Sequence, residues 1–277
     1  MLIEYFFKAG YYNNLYDMLD DLDKKTLLSE IAPKPNFYEG LILYDVLKST
    51  NKAMNDEIAK YSLSSAEYRE YIELWVHEIK TPIAGAKLIC ENTGNNAMLD
   101  SLQKIDRFVE QALFYSRSSA VEKDFIIKQA ELKELINRAL RKNAKSFIDN
   151  KISIETGNLD FTVPTDVKWT DFILEQILYN AVKYEGKRIK IYAGQNENSI
   201  SLFISDDGIG IPKQDINRVF DKGFTGENGR KHAKSTGIGL YLCKKLCLKL
   251  GLNISASSEQ GKGTSVEIIF PKSSMYS

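Results

Sequence analysis

A heptad repeat of mostly apolar residues runs from about Leu41 to Ile89, and only a few folds can bury such a stripe. One core position of the repeat is occupied by Leu47, Met54, Tyr61, Tyr68 and Trp75. The other core position is occupied by Asn51, Ile58, Ser65, Ile72 and Ile79. An apolar stripe with this period predicts a long helix that packs against a partner helix.

A second helical pattern follows a loop predicted at residues 92–96. Its apolar residues are Leu102, Ile105, Val109 and Ala112. Two helices joined by a short loop form an αα-hairpin, and one hairpin cannot cover its own apolar stripe. We therefore expect two copies of the chain to form a dimeric four-helix bundle. The alternative is that the stripe packs on the second domain of the same chain.

After about Val121 the pattern changes to short strands that alternate with helices. Strands are expected at 125–127, 152–155, 161–163, 189–193, 200–205 and 265–270, and helices at 131–148, 166–184 and 239–250. Thr165 or Asp166 is expected to cap the second of these helices, and Gly251 to end the third. This mixture predicts an α/β sandwich. We divide the chain into a linker region at 1–40, a helical hairpin at 41–120 and a sandwich domain at 121–277.

The overall composition excludes some classes of protein. Lys+Arg and Asp+Glu number 37 each, so no basic excess indicates nucleic-acid binding. The three cysteines form no CxxC pair and are interpreted as reduced, buried thiols. No apolar run reaches the roughly 18–20 residues needed to span a bilayer. The chain as given is therefore expected to be soluble.

The segment from Trp75 to Pro82 contains a candidate nucleophile, His77. A neutral imidazole is a good nucleophile near pH 7. Glu78 could orient the ring and take up its proton. Thr81 lies one helical turn further, where its hydroxyl could position a water molecule, and Pro82 should loosen the helix. The alternative is an ordinary surface histidine beside a proline kink.

Three glycine-containing segments indicate a nucleotide site. In the segment 204–212, which follows a predicted strand, an aspartate at the strand end could accept a hydrogen bond from an adenine amino group, while Gly208 and Gly210 allow close approach of the backbone. The second segment, Thr236, Gly237, Ile238, Gly239 and Leu240, opens a predicted helix whose N–H groups could bind phosphate. The third contains Thr264. An ordinary turn or helix entry is the alternative for each segment.

The predicted helix at 166–184 carries polar residues in an apolar pattern. The amide oxygen of Asn180 is a suitable Mg²⁺ ligand when phosphate and water supply most other ligands. Gln176 lies one turn earlier and is a second candidate metal ligand. Lys183 could contact phosphates, and Tyr184 could stack near the base. The alternative is a helix with a buried, satisfied asparagine.

The glycine-rich stretch at 213–236 is interpreted as a lid over the nucleotide site. Phe220 and Phe224 lie within it. Arg230 and Lys234 could reach the γ-phosphate. His232 is interpreted as a solvated lid residue.

In this order, the segments resemble the sensor histidine kinase family. The matching motifs are the phosphoacceptor box at 77–82, the N box at 180–184, the two glycine boxes at 206–210 and 237–240, and the phenylalanine box at Phe220 and Phe224. The resemblance implies a Bergerat-type (GHKL) ATP-binding sandwich beside the helical bundle. It also implies that Asp206 binds adenine, that Asn180 coordinates Mg²⁺, and that Thr81 takes part in a phosphatase reaction.

The segments at 75–82 and 222–230 look most like the bacitracin-sensor type of intramembrane-sensing kinase. The resemblance implies a membrane protein whose ABC-transporter partner supplies the signal and whose response regulator accepts the phosphoryl group on an aspartate. This chain would be its cytoplasmic fragment. Gln176 departs from the asparagine of many members, and the spacing from Phe220 to Phe224 is one residue longer than usual. A clamp ATPase of the same superfamily and an inactive dimeric scaffold are the alternatives.

Overall fold

A computed structural model of the chain describes residues 2–118, 125–226 and 236–272, with only the backbone for residues 2–4. The chain divides into two compact units, Met1–Tyr71 and Ile72–Ser277. Across the described ranges, no helix combines the length and the apolar content needed to cross a membrane.

The first unit is helical. It contains α1 (Leu2–Asp21), a 3-10 turn (Lys25–Leu27), α2 (Leu28–Ile31) and the first part of α3 (Tyr38–Thr93). The rings of Tyr11 and Tyr12 lie 5.4 and 5.9 Å from that of Phe37. The sequence pattern did not predict α1, because its apolar residues are spread around the helix and form no single stripe.

The long helix predicted from the heptad pattern is confirmed as α3. Within the first unit, the Asn51 amide donates hydrogen bonds to the Thr26 carbonyl at 2.7 Å and to the Ser29 hydroxyl at 2.6 Å. This polar residue in the stripe therefore links α3 both to the 3-10 turn and to α2.

In the second unit, residues 72–93 of α3 pair with α4 (Asn96–Arg117) as the predicted helical hairpin. Asn95 caps α4 by accepting a hydrogen bond from the Met98 N–H at 3.2 Å. Val76, Ile83 and Val109 form a small buried core between the two helices. Salt bridges between the helices flank this core: Lys80–Glu110 at 2.8 Å and Arg117–Glu73 at 2.7 Å. The helix α3 continues through Pro82.

The rest of the second unit is an α/β sandwich, as predicted. Its elements are β1 (Lys128–Glu131), α5 (Leu132–Asp149), β2 (Ser153–Thr156), β3 (Thr162–Thr165), α6 (Val167–Lys183), β4 (Arg188–Gln195), β5 (Ser199–Asp206), a 3-10 turn (Ile216–Arg218), α7 (Gly239–Lys249), β6 (Asn253–Glu259) and β7 (Gly263–Pro271). Five strands form a sheet in the order β2-β4-β5-β7-β6, and β1 pairs with β3 in a small separate sheet. Only the β2–β4 pair of the larger sheet is parallel. The helices bury their apolar faces against the larger sheet to form the main core.

Local signals located most of these elements. Asp166, and not Thr165, caps α6 by accepting hydrogen bonds from the N–H groups of Lys168 and Trp169 at 2.9 and 3.3 Å. The strand expected at 125–127 is wrong, because β1 begins at Lys128 and the Phe125 ring packs near Trp169 instead. β6 was not predicted, since Ile254 is its only large apolar side chain and most of its other residues are polar.

Candidate functional site

A cavity of about 590 Å³ lies where α4 and α6 meet the end of β5, the start of β7 and the start of α7. Eleven of the residues predicted for nucleotide or metal binding line it: Gln176, Asn180, Lys183, Tyr184, Asp206, Gly210, Thr236, Gly237, Gly239, Leu240 and Thr264. The fold therefore brings segments that are distant in the sequence into one concave site.

The carboxylate of Asp206 is the acidic group that the end of β5 presents to the cavity. Burial raises its pKa to about 6, although hydrogen bonds from the backbone of Gly208 and Thr264 act in the opposite direction. The neighbouring Asp207 has another role, because its Oδ1 accepts hydrogen bonds from the N–H groups of Lys187 and Arg188 at 2.7 Å each. The structure thus separates two adjacent aspartates, one facing the cavity and one holding the start of β4.

At two positions of the glycine motifs, the backbone geometry requires a residue without a side chain. A side chain at Gly208 would collide with the carbonyl oxygen of Tyr184, where the loop after β5 crosses the end of α6. Gly237 has a φ of 63°, and its carbonyl accepts a hydrogen bond from the Gly223 N–H at 3.0 Å. Gly208 does not line the cavity; it allows the loop that carries Asp206 to pack closely.

One face of α6 supplies polar groups to the cavity. Asn180 is half-buried, and its side-chain amide makes no hydrogen bond with any residue in the described ranges. Lys183 lies with its Nζ 5.3 Å from the centroid of the Tyr184 ring. Burial lowers the pKa of Lys183, and the nearby guanidinium of Arg107 lowers it further.

The donor set fits Mg²⁺ bound together with a nucleotide. The described residues contain no cluster of three His, Cys, Asp or Glu side chains that could hold a metal by themselves. Mg²⁺ commonly keeps several water and phosphate ligands, so a single amide oxygen such as that of Asn180 is a suitable protein ligand. The Oε1 atom of the buried Gln176 already accepts a hydrogen bond from Gln111 at 2.8 Å.

The contribution of α4 to the cavity was not predicted from the sequence. Lys104, Arg107, Phe108 and Gln111 all line the cavity. Their only sequence signal is their place on an amphipathic helix, where polar residues are ordinarily solvated. No motif marks them.

The lid residues are placed differently from one another. Phe224 lines the cavity, whereas Phe220 packs against the main core with the Lys244 ammonium 5.7 Å from its ring. Arg230, His232 and Lys234 lie outside the described residues.

His77, Glu78 and Thr81 lie on α3 with exposed side chains and are not part of the cavity lining. The Thr81 hydroxyl donates to the carbonyl of His77 at 3.3 Å. Because the hairpin core is formed by Val76 and Ile83, the imidazole of His77 stays accessible on the helix surface.

Comparison with known proteins defines the class of this site. Residues 165–274 match the family described as "Histidine kinase-, DNA gyrase B-, and HSP90-like ATPase". The structure of full-length ShkA in complex with AMPPNP is similar in fold, with a TM-score of 0.56 and 19% identity over 73% of this chain and 45% of that chain.

Two sensor kinases are similar in sequence. The chain is 37% identical to sensor histidine kinase YxdK of Bacillus subtilis over 207 residues, which is 72% of this chain and 64% of YxdK. It is 32% identical to sensor protein kinase GraS of Staphylococcus aureus over 233 residues, which is 82% of this chain and 67% of GraS. The chain belongs to the sensor histidine kinase family, and the match spans about two thirds of the length of these relatives.

Proposed function

We propose that the chain is an ATP-dependent protein-histidine kinase that phosphorylates its own His77. The observation that carries this proposal is the cavity that unites Asp206, Asn180 and both glycine segments, in a chain that also has an exposed imidazole on its helical hairpin. The family membership established above supports the same reading.

Each polar group of the cavity has a role in binding ATP. The adenine amino group donates to the carboxylate of Asp206. The phosphates extend toward Lys183 and the N-terminus of α7, where the backbone N–H groups after Gly237 favour anions. Asn180 holds Mg²⁺, which when bound neutralises charge on the phosphate oxygens.

The chemical step is an in-line displacement at the γ-phosphorus. A ring nitrogen of His77 forms the new N–P bond while the bond from phosphorus to the β,γ-bridging oxygen breaks, and ADP leaves with that electron pair. Glu78 takes up the proton that the imidazole releases. The N–P bond is then broken by an aspartate of a response-regulator receiver domain, which accepts the phosphoryl group. In the opposing phosphatase reaction, Thr81 positions a water molecule that hydrolyses the phosphoryl group on the regulator.

The hairpin acts as a homodimer in this proposal. Met54, Ile58, Tyr61 and Tyr68 are 48%, 57%, 70% and 61% exposed in the single chain, although they follow the heptad spacing of a helical seam. Apolar side chains at this spacing are typical of a surface that pairs with another helix. Attachment to the membrane, an ABC-transporter partner and the sensing of envelope stress or antimicrobial peptides rest on the family resemblance alone.

Incubation with γ-labelled ATP and Mg²⁺ tests the kinase activity. We expect an acid-labile, alkali-stable label on the wild-type chain and none on His77→Ala. His232→Ala is the matched control, since it removes the other of the two histidines, and it should be labelled normally. Phosphate release without a protein label would favour a clamp ATPase, and absence of ATP binding would favour an inactive scaffold.

A further inference from the structure

We propose that Arg107 of α4 is a further nucleotide-binding residue, which contacts the polyphosphate together with Lys183 of α6. This inference rests on the proposed function, because it takes ATP as the ligand of the cavity. It assigns a residue of the helical hairpin, and not only residues of the sandwich, to the nucleotide site.

The first support is the way α4 docks along α6. The Arg107 guanidinium lies 3.4 Å from the centroid of the Tyr179 ring. One turn further along α4, Gln111 bonds Gln176 at 2.8 Å, and next the Phe114 ring stacks on Phe172 with centroids 3.9 Å apart. The α6 partners occur in reverse order along the chain, so the two helices pack antiparallel. This contact holds Arg107 at the end of α6 that carries Asn180 and Lys183.

The second support is an electrostatic imbalance in the cavity. Arg107 and Lys183 both line it, and neither forms a salt bridge within the described part of the chain. Burial lowers the pKa of each, and the two cations repel each other, while Glu110, Glu175 and Asp106 relieve Arg107 only in part. Holding two partly desolvated like charges together costs free energy that a bound anion would recover.

The third support is the geometry of the guanidinium. Its face is occupied by Tyr179, whereas its N–H donors form no hydrogen bond to the described residues. A guanidinium stacked on an aromatic ring keeps its edge available for bidentate bonds to a phosphate. The neighbouring Asn180, assigned above to Mg²⁺, indicates that this end of the cavity receives the phosphates and not the base. Nucleotide bound here would bridge α4 and α6.

The test compares Arg107→Met with Arg107→Lys in the full chain by calorimetry. Methionine keeps much of the contact with Tyr179 but removes the charge, so ATP affinity should fall about tenfold to a hundredfold, the loss expected for one charged hydrogen bond. Adenosine affinity should not change. Arg107→Lys should recover part of the ATP affinity. Arg117→Met is the matched control, because Arg117 lies on the same helix but pairs with Glu73 away from the cavity, and it should bind ATP as the wild type does.

Three results would overturn the inference while leaving the kinase proposal intact. The first is an unchanged ATP affinity in Arg107→Met. The second is an equal loss of ATP and adenosine affinity in Arg107→Met, and the third is an equal loss of ATP affinity in Arg117→Met. The last two would mean that Arg107 acts only by packing the helices together. Wild-type protein that binds no ATP would instead refute both the proposed function and this inference.

Discussion

The side-chain amide of Gln111 on α4 donates a 2.8 Å hydrogen bond to Oε1 of Gln176 on α6. Both side chains are buried, at 8% and 4% exposure. The bond lies under the start of α7, where a side chain at Gly239 would come within 3.1 Å of the same Gln176 oxygen. It links the hairpin to the helix that carries the proposed Mg²⁺ ligand, and it leaves Asn180 as the amide available to the metal.

Replacing one member of this pair should cost more than replacing both. Gln111→Leu leaves the buried Gln176 oxygen without its donor, so we expect the free energy of unfolding to fall by about 1–3 kcal/mol. The double variant Gln111→Leu/Gln176→Leu should recover part of that loss, since it leaves no unpaired polar group at this contact. Urea denaturation of the four proteins of the cycle measures the coupling. Strictly additive losses would mean that the pair contributes no interaction.

The pKa of Asp206 predicts how nucleoside affinity depends on pH. The adenine amino group donates to the ionised carboxylate, so adenosine affinity should weaken several-fold as the pH falls through about 6. Adenosine is the appropriate probe because it carries no phosphate that titrates in this range. Asp206→Asn should bind weakly at every pH tested, and a pH dependence that persists in this variant would assign the effect to another group.

The ionisation of Asp206 should affect folding in the opposite direction: a rise in pH that strengthens adenosine binding should lower the free energy of unfolding. The folded-state pKa of about 6 exceeds the ordinary value of 3.8, so the native chain holds its proton more tightly than the unfolded chain does. The destabilisation is absent below the lower value, grows as the pH rises between the two, and stays constant above about 6. At neutral pH, Asp206→Asn should therefore raise the free energy of unfolding, by on the order of 1–2 kcal/mol after allowing for partial exposure. Equal stabilisation at pH 4 and pH 7 would contradict this explanation.

Phe114 is expected to dominate the packing between α4 and α6. Its ring stacks on Phe172 and lies 5.2 Å from Trp169 at an edge-to-face angle. Phe114→Ala should destabilise the chain by about 2–4 kcal/mol and make α4 more sensitive to limited proteolysis. Ile148→Ala, on α5 outside the hairpin and 75% exposed, should cost less than about 1 kcal/mol. Similar losses of unfolding free energy in the two variants would show that the aromatic contact adds no stability of its own.

Asn180→Ala should remove the Mg²⁺ dependence of ATP binding. The wild-type chain is expected to bind ATP more tightly with Mg²⁺ than with a chelator, because Mg²⁺ held by the Asn180 amide oxygen would neutralise charge on the phosphates. The variant should show nearly the same ATP affinity in both conditions and an unchanged affinity for adenosine. Calorimetry with and without EDTA makes the comparison. A full Mg²⁺ effect in the variant would exclude Asn180 as the ligand.

Much of the site followed from short-range patterns. The aspartates and glycines after β5 predicted a nucleotide-binding segment, the family resemblance assigned Asp206 to adenine, and the structure presents Asp206 to the cavity. Local chemistry also predicted the bounds of α6 and a cap at Thr165 or Asp166, of which the structure selects Asp166. Prediction failed where the pattern was weak, as in α1, with its evenly spread apolar residues, and in β6, with its polar ones.

The hairpin, the sandwich and the order of the nucleotide motifs could be predicted from the sequence, because helical periodicity, capping and glycine turns depend on neighbouring residues. The role of α4 as a wall of the cavity, with Arg107 over Tyr179 and Gln111 bonded to Gln176, became visible only in the packed fold. These partners are more than 60 residues apart in the chain, as the 65-residue separation of the two glutamines illustrates. A polar residue on an amphipathic helix has the same local pattern whether it faces water or another helix, so packing alone distinguishes the two.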